Sequence, residues 1–123
     1  MIRVGAVGYL NARPLTWALD LEPNRWHVRY DVPSVCARLL FDRHVDLGLI
    51  PSVEYLSALD YQLVPGVGVC SRGAVGSVAL FARTEIGDVR RLALDASSRT
   101  SVALTKVLCA RRFRIAPEFI SHG

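Results

Sequence analysis

Lysine is nearly absent from this chain: Lys106 stands alone among 15 cationic residues, and the others are arginines. A nucleic-acid-binding surface needs a clustered basic stripe interleaved with aromatics. Here the arginines are scattered, and the one cluster, Arg111, Arg112 and Arg114, falls at the expected end of a helix, where cations complement the dipole. No nucleic-acid partner is therefore expected, and the net charge of +4 suits attraction of a small anionic substrate. Cys36, Cys70 and Cys109 are odd in number, widely spaced and without a CxxC pair, which excludes a disulfide framework. They read as buried small hydrophobes in a reducing compartment. His27, His44 and His122 are equally isolated, so neither a metal nor another cofactor is expected. No apolar run reaches the roughly 18 residues of a membrane span. The start, MIRVGAVGYLNARPL, reads as a strand and turn rather than an export signal, so a cytoplasmic protein without a membrane partner is expected.

What the chain does contain is a globular composition, 51% hydrophobic and 21% charged over 123 residues, with no repeats and no low-complexity segment. Ile2–Val7 predicts a buried strand ended by Gly8. Asn11 can cap a helix from about Ala12 to Leu21, with Pro14 tolerated in its first turn. Trp26–Val32 alternates apolar and polar residues and predicts a strand with one wet face. Pro33 and Ser34 open a helix with Val35, Leu39 and Leu40 on its apolar face, ending near Arg43. Val45–Ile50 is the next strand, and Pro51–Ser52 starts a short helix through Leu59. This β-α-β-α-β-α order argues for a parallel α/β sheet.

Two apolar segments follow, Gln62–Cys70 and Ser77–Ala82, separated by the turn SRGAVG. The pattern turns polar around Arg83–Arg90. A strand at Arg91–Leu94 then leads into a helix of about Arg99–Arg112, with Ala103, Leu104, Val107 and Leu108 on its apolar face. Glu118–Ile120 begins a further strand. This last β-α unit has little apolar surface to bury on its own, so the chain reads as truncated.

Three segments carry candidate chemistry. Open α/β sheets bind ligands at the carboxyl ends of their strands, where Asn11 stands after the first strand. Its amide can orient a carboxylate or hydroxyl, or simply cap the helix. In the second segment, Asp46–Leu56, a strand runs into Pro51–Ser52. Ser52 can offer a hydroxyl there, and Glu54 can favour a helix N-terminus; a structural role at the helix start is the better explanation of both. The third, Asp95–Val102, packs hydroxyls around a strand-to-helix turn. Its unpaired N–H groups, with Ser98, Arg99, Thr100 and Ser101, form an anion site, or ordinary serine capping beside a solvated arginine.

Taken together, GYLNARPL (Gly8–Leu15), DLGLIPSVEYL (Asp46–Leu56), GVGVCSRGAVGSVALF (Gly66–Phe81) and SSRTSVAL (Ser97–Leu104) resemble the chorismate dehydratase family of the futalosine-type menaquinone pathway, in the family's order. The resemblance implies a two-lobed α/β fold like that of type II periplasmic binding proteins, truncated within the second lobe. Residues 1–82 would form the first lobe, 83–90 a hinge, and 91–123 the beginning of the second. The sister dihydroxynaphthoate synthase carries a Pro-Asn-Asp signature that GYLNARPL does not match. The resemblance further implies that Asn11 and Ser77 are the catalytic substrate contacts. It gives the SSRTS turn (Ser98, Arg99, Thr100, Ser101) a substrate carboxylate to hold, with a cleft between the lobes as the meeting place; Ser52 is kept as a further substrate contact on its position at the strand end.

The implied activity is that of a hydro-lyase converting chorismate to 3-(1-carboxyvinyloxy)benzoate and water, without a cofactor. None of the His, Asp or Glu residues in these motifs is an evident base; Glu54 and Asp95 qualify by position only. The substrate's own enolpyruvyl carboxylate is a further candidate. The alternative is a cytoplasmic carboxylate-binding protein of the same fold without catalysis. The 123-residue chain is expected to be inactive alone, and its oligomeric state is left open.

Overall fold

Strand β1 (Ile2–Val7) runs through the centre of a three-stranded parallel sheet with the order β2-β1-β3, and Val4 through Val7 are buried. A strand covered on both faces needs a continuous apolar run, which IRVGAV supplies after Arg3. The computed structural model describes residues 1–58 and 60–122 and divides into two compact units, Met1–Cys70 and the chain from Ser71 onward. Strand β2 (Trp26–Asp31) pairs with β1 from Ile2↔Trp26 to Val7↔Asp31. As an edge strand it keeps the expected wet face: His27 and Arg29 are exposed, while Trp26 and Val28 are half-buried.

The segment after β1 is not the continuous helix its pattern suggests. It breaks into a 3₁₀ turn at Leu10–Ala12, a four-residue helix α1 (Arg13–Thr16) and a second 3₁₀ turn at Leu19–Leu21. Asn11 lies inside the first turn and caps nothing by its side chain. The cause is the narrowness of the buried face. Ala12 and Thr16 are inside, but Leu10, Trp17 and Leu21 are 88%, 61% and 65% exposed. Helices this short persist only through packing, and this one packs along a single line of two small residues.

Helix α2 (Pro33–Phe41) starts where expected, with Pro33 in its first turn. Its most buried residues are Cys36 and Ala37; Val35, Leu39 and Leu40 are only half-buried. Small side chains bring the helix close to the sheet, near enough for the Cys36 thiol to donate to the Ala6 carbonyl at 3.2 Å. Cys36 joins Val7 and Ala12 in the core of this unit, with Leu49 and Ile50 packed against them. Strand β3 (Leu47–Gly48) is far shorter than Val45–Ile50, although the Asp46 and Leu49 amides continue its bonding to Arg3 and Gly5 at 2.8 and 2.9 Å. A Cβ on Gly48 would meet Ile50 and Leu40 at 3.2 Å, and Pro51 then removes the next donor. Helix α3 covers Ser52–Ser57. The Leu59 end expected for it lies outside the described residues.

Neither apolar segment between Gln62 and Ala82 forms a strand. Leu63, Val67, Val78 and Phe81 are 72%, 59%, 57% and 93% exposed. An apolar run becomes a strand only where a neighbour accepts its ladder bonds, and no described strand pairs with either segment. Cys70 is correspondingly exposed, unlike Cys36 and Cys109. The SRGAVG segment does turn, with Gly73 at φ 81°.

The second unit contains one β-α-β crossover. Strand β4 (Arg91–Asp95) pairs in parallel with β5 (Glu118–His122), from Arg91↔Glu118 to Asp95↔His122. Helix α4 (Arg99–Leu108) connects them and continues through a π turn at Cys109–Phe113. Leu92, Leu94 and Cys109 form the core, with Val102, Phe113 and Ile115 against it. The buried side of α4 is thus rotated from the expected Ala103–Leu104–Val107–Leu108 face: Leu104 and Val107 are 51% and 55% exposed. The wider π turn re-aims Cys109 and Phe113 inward, a change of phase that a regular 3.6-residue period does not anticipate. Among the described residues no helix is long and apolar enough to cross a membrane.

Candidate functional site

The carboxyl end of β1 delivers the chain into an exposed turn that carries Asn11. Val7 and Ala12 on either side of this turn are buried. Asn11 is exposed, and its side-chain amide bonds to no described residue. One donor pair and one acceptor are therefore available at a strand end where α/β sheets receive ligands. The residues just after it are fixed more firmly. The Arg13 guanidinium lies 3.3 Å from the Tyr30 hydroxyl and 3.5 Å from Asp20, and the Tyr30 hydroxyl donates to Asp20 at 2.6 Å. Burial, and then the bond to Asp20, push the Tyr30 phenol above its ordinary value, so it remains a donor through neutral pH. The motif segment GYLNARPL contained Arg13, but neither Asp20 nor Tyr30 carries a signal that would have joined them to it.

The turn from β4 into α4 is built mainly from local side-chain bonds, with the Ala96 amide tied to the His122 carbonyl of β5 at 3.1 Å. The Asp95 carboxylate accepts the Ser97 amide at 2.9 Å and the Ser97 hydroxyl at 2.6 Å. These two bonds hold its carboxyl below the usual carboxylate range. Ser98 precedes the first helical residue, and its hydroxyl bonds to that of Ser101 at 2.7 Å rather than to a helix N–H. Ser98, Arg99, Thr100 and Ser101 are all half-buried around the start of α4. Ser98 makes no side-chain cap bond to the first turn, whose N–H groups point along the helix dipole in the direction that favours an anion.

The remaining candidates are simpler. Ser77 lies in the exposed turn that joins the Val78 amide to the Val75 carbonyl at 3.4 Å, not at the start of a strand. Ser52 is the exposed first residue of α3 and makes no cap bond to that helix. Glu54 is half-buried in the first turn of the same helix. Of the two positional candidates for a base, Asp95 is weakened by its bonds to Ser97, because a carboxylate held at low pKa is a poor proton acceptor. Cys36 is no nucleophile: burial, then the nearby Asp31 charge, push its thiol up. A surface depression of about 220 Å³ is lined by Leu19, Asp20, Pro23, Trp26, His27 and Val28 and includes none of the site residues expected from sequence. No group of three or more His, Cys, Asp or Glu among the described residues is arranged to hold a metal.

The two turns also differ in their electrostatic setting. Six cations face seven anions in Met1–Cys70, whereas nine face four from Ser71 onward. The ion pairs Arg3–Asp46, Arg13–Asp20, Arg25–Glu22, Arg29–Asp31 and Arg43–Asp60 lie in the first unit. The excess positive charge of the chain thus belongs to the unit that carries the uncapped serine-rich turn.

Comparison with known proteins adds an independent line. The sequence profile of a family described as menaquinone biosynthesis matches residues 2–123. The chorismate dehydratase of Thermus thermophilus is 40% identical over 106 residues, which cover 85% of this chain and 38% of that protein. The chain therefore spans well under half the length of that relative.

Proposed function

The chain belongs to the menaquinone biosynthesis family, and from that premise we propose that it contributes chorismate-binding elements to a chorismate dehydratase. The observation that carries this reading is the 40% identity to a chorismate dehydratase over 85% of the chain. The reaction would be loss of water from chorismate to give 3-(1-carboxyvinyloxy)benzoate: a ring C–H proton leaves, the ring hydroxyl departs with it as water, and the ring becomes aromatic. Aromatisation supplies the driving force, so the protein's task is orientation and stabilisation of departing charge.

In this reading Asn11 and Ser77 contact the reacting part of the substrate. The uncapped amides of α4, with Ser98, Arg99, Thr100 and Ser101, hold a carboxylate, and Ser52 is a further polar contact. Asp95 is committed to Ser97, which favours the substrate's enolpyruvyl carboxylate as the proton acceptor. The protein would act in the futalosine-type pathway, as a cytoplasmic hydro-lyase with a two-lobed, periplasmic-binding-protein-like architecture. The chain of 123 residues is proposed to be inactive by itself. The exposed apolar residues between Leu63 and Phe81 support this, since a finished catalytic domain buries such a run.

Chorismate incubated with the complete protein, followed by chromatography, tests the reading. Appearance of the carboxyvinyloxy benzoate is expected. Chorismate binding without product would replace the enzyme by a carboxylate-binding protein, and absence of both would end the proposal.

A further inference from the structure

We propose that Arg13 is a positioning residue for Asn11, acting through a closed set of contacts with Tyr30 and Asp20; this rests on the reading of Asn11 as a substrate contact. The turn that presents Asn11 has little to hold it in place. Tyr9 and Leu10 are exposed, and the turn's own bonds are the Ala12 amide to the Tyr9 carbonyl at 3.0 Å and the Arg13 amide to Leu10. Two anchors follow Asn11 directly. Ala12 is buried against Val7 and Cys36, which fixes one point of the turn on the core. Arg13 fixes the next point on β2.

The geometry of that second anchor is specific to arginine. Its guanidinium lies 3.3 Å from the Tyr30 hydroxyl, its Cζ is 5.6 Å from the Tyr30 ring centroid, and it lies 3.5 Å from Asp20. The Tyr30 hydroxyl closes the set by donating to Asp20 at 2.6 Å. Tyr30 is in register with Ala6 of β1, so the guanidinium ties the turn to the same strand pair from which it emerges. A planar group that bonds at its edge while facing a ring cannot be replaced by an ammonium.

The exposure of these groups separates positioning from simple stabilisation. The Arg13 and Asp20 side chains are 48% and 36% exposed, and pairs this wet contribute little to folding. Their loss should therefore be seen in the placement of Asn11 and not in the melt. A displacement of about an ångström at a reacting group can cost on the order of 100-fold in rate.

The test uses Arg13→Ala, Arg13→Lys and Tyr30→Phe in the complete protein, with Asn11→Ala as reference. For Arg13→Ala, kcat should fall by about 10- to 100-fold with KM within about threefold and an unchanged melting temperature. Arg13→Lys should recover little. Tyr30→Phe keeps the ring but loses both hydroxyl bonds, so its kcat should fall less. Amide exchange at Ala12 and Arg13 should accelerate in the Arg13→Ala protein while the β1 amides remain unchanged. Wild-type kcat in Arg13→Ala, when Asn11→Ala is dead, would overturn the proposal. If the unmodified protein does not turn over chorismate, the proposed function fails instead. The exchange data then decide alone: unaltered protection at Ala12 and Arg13 refutes the anchor, and selective loss there supports it.

Discussion

The two turns that follow β1 and β4 occupy equivalent places at the carboxyl ends of parallel strands, yet their side chains hold them by different means. The first depends on distant residues: Arg13 reaches to Asp20 and Tyr30, and Ala12 is pressed against Cys36 of α2. The second relies mainly on its own side chains, Asp95 bonding Ser97 and Ser98 bonding Ser101 within seven positions of chain, with one outside bond from the Ala96 amide to the His122 carbonyl at 3.1 Å. A turn closed mainly by its own side chains can present helix-start amides to a carboxylate in any setting. A turn fixed from outside can instead place one side chain accurately, as a reacting centre requires. On the proposed reading, binding falls to the second turn and orientation to the first, and the second unit carries the excess of cations.

The largest expected effect breaks this contrast at its centre. In the complete protein Asn11→Ala should lower kcat by about 100-fold or more and leave KM nearly unchanged, as for a contact made mainly in the transition state. Ser101→Ala should do the reverse, raising KM by roughly three- to tenfold at constant kcat, because one neutral donor to a carboxylate is lost. Steady-state kinetics on both variants check the division of labour. Equal kcat losses at the two positions would abolish it.

The same contrast explains what could be read from the sequence. The βαβ unit was legible because its signals are local: a short strand, serines at a helix start and a 3.6-residue apolar period that marked the helix though not the face it buries. Strand β1 was legible from its continuous apolar run, and α2 from Pro33 at its start. The Arg13–Asp20–Tyr30 set was not, because residues 7 and 17 positions apart meet only after β2 pairs with β1. The split of the first helix followed from how little of its apolar face is covered, as the exposure of Trp17 and Leu21 shows. The runs Gln62–Cys70 and Ser77–Ala82 misled for a related reason. Apolar composition states that a segment would pair, while pairing itself needs a neighbour that no described strand provides. At Cys109–Phe113 the π turn shifted the helix face by a residue, a local feature with no reliable sequence mark.

An intermediate effect concerns acid stability, where the first unit again relies on a long-range contact. Side-chain bonds from Arg3, and then its backbone amide, lower the Asp46 carboxyl from an ordinary 3.8 to about 2. The folded form therefore holds this proton more weakly than the unfolded chain does. Its contribution is complete above about pH 4 and is lost as the pH falls through about 2. Thermal melts of the wild type and Asp46→Asn should differ most at neutral pH and converge near pH 2. A gap that stays constant with pH would show that the Arg3–Asp46 pair does not contribute through ionisation.

The smallest expected effect compares the far ends of α2 and α4, each of which closes on an arginine in the left-handed region. Arg43 has φ 58° and Arg114 has φ 54°. The residue after each arginine closes the helix end, over five positions at α2 and over six after the π turn: His44 donates to the Leu39 carbonyl at 2.8 Å and Ile115 to the Cys109 carbonyl at 2.9 Å. Glycine normally fills this position because a Cβ costs about 1–2 kcal/mol there. Glycine's greater freedom in the unfolded chain returns about 0.4–1 kcal/mol of that cost. Arg114→Gly should therefore stabilise the protein by about 0.5–1 kcal/mol, a rise of a few degrees in melting temperature. Arg43→Gly should gain less, since the Arg43 side chain also pairs with Asp60 at 3.4 Å and that contact would be lost. Denaturant melts of both variants make the comparison directly. A destabilised Arg114→Gly protein would mean that its side chain contributes more to the end of α4 than the strain it imposes.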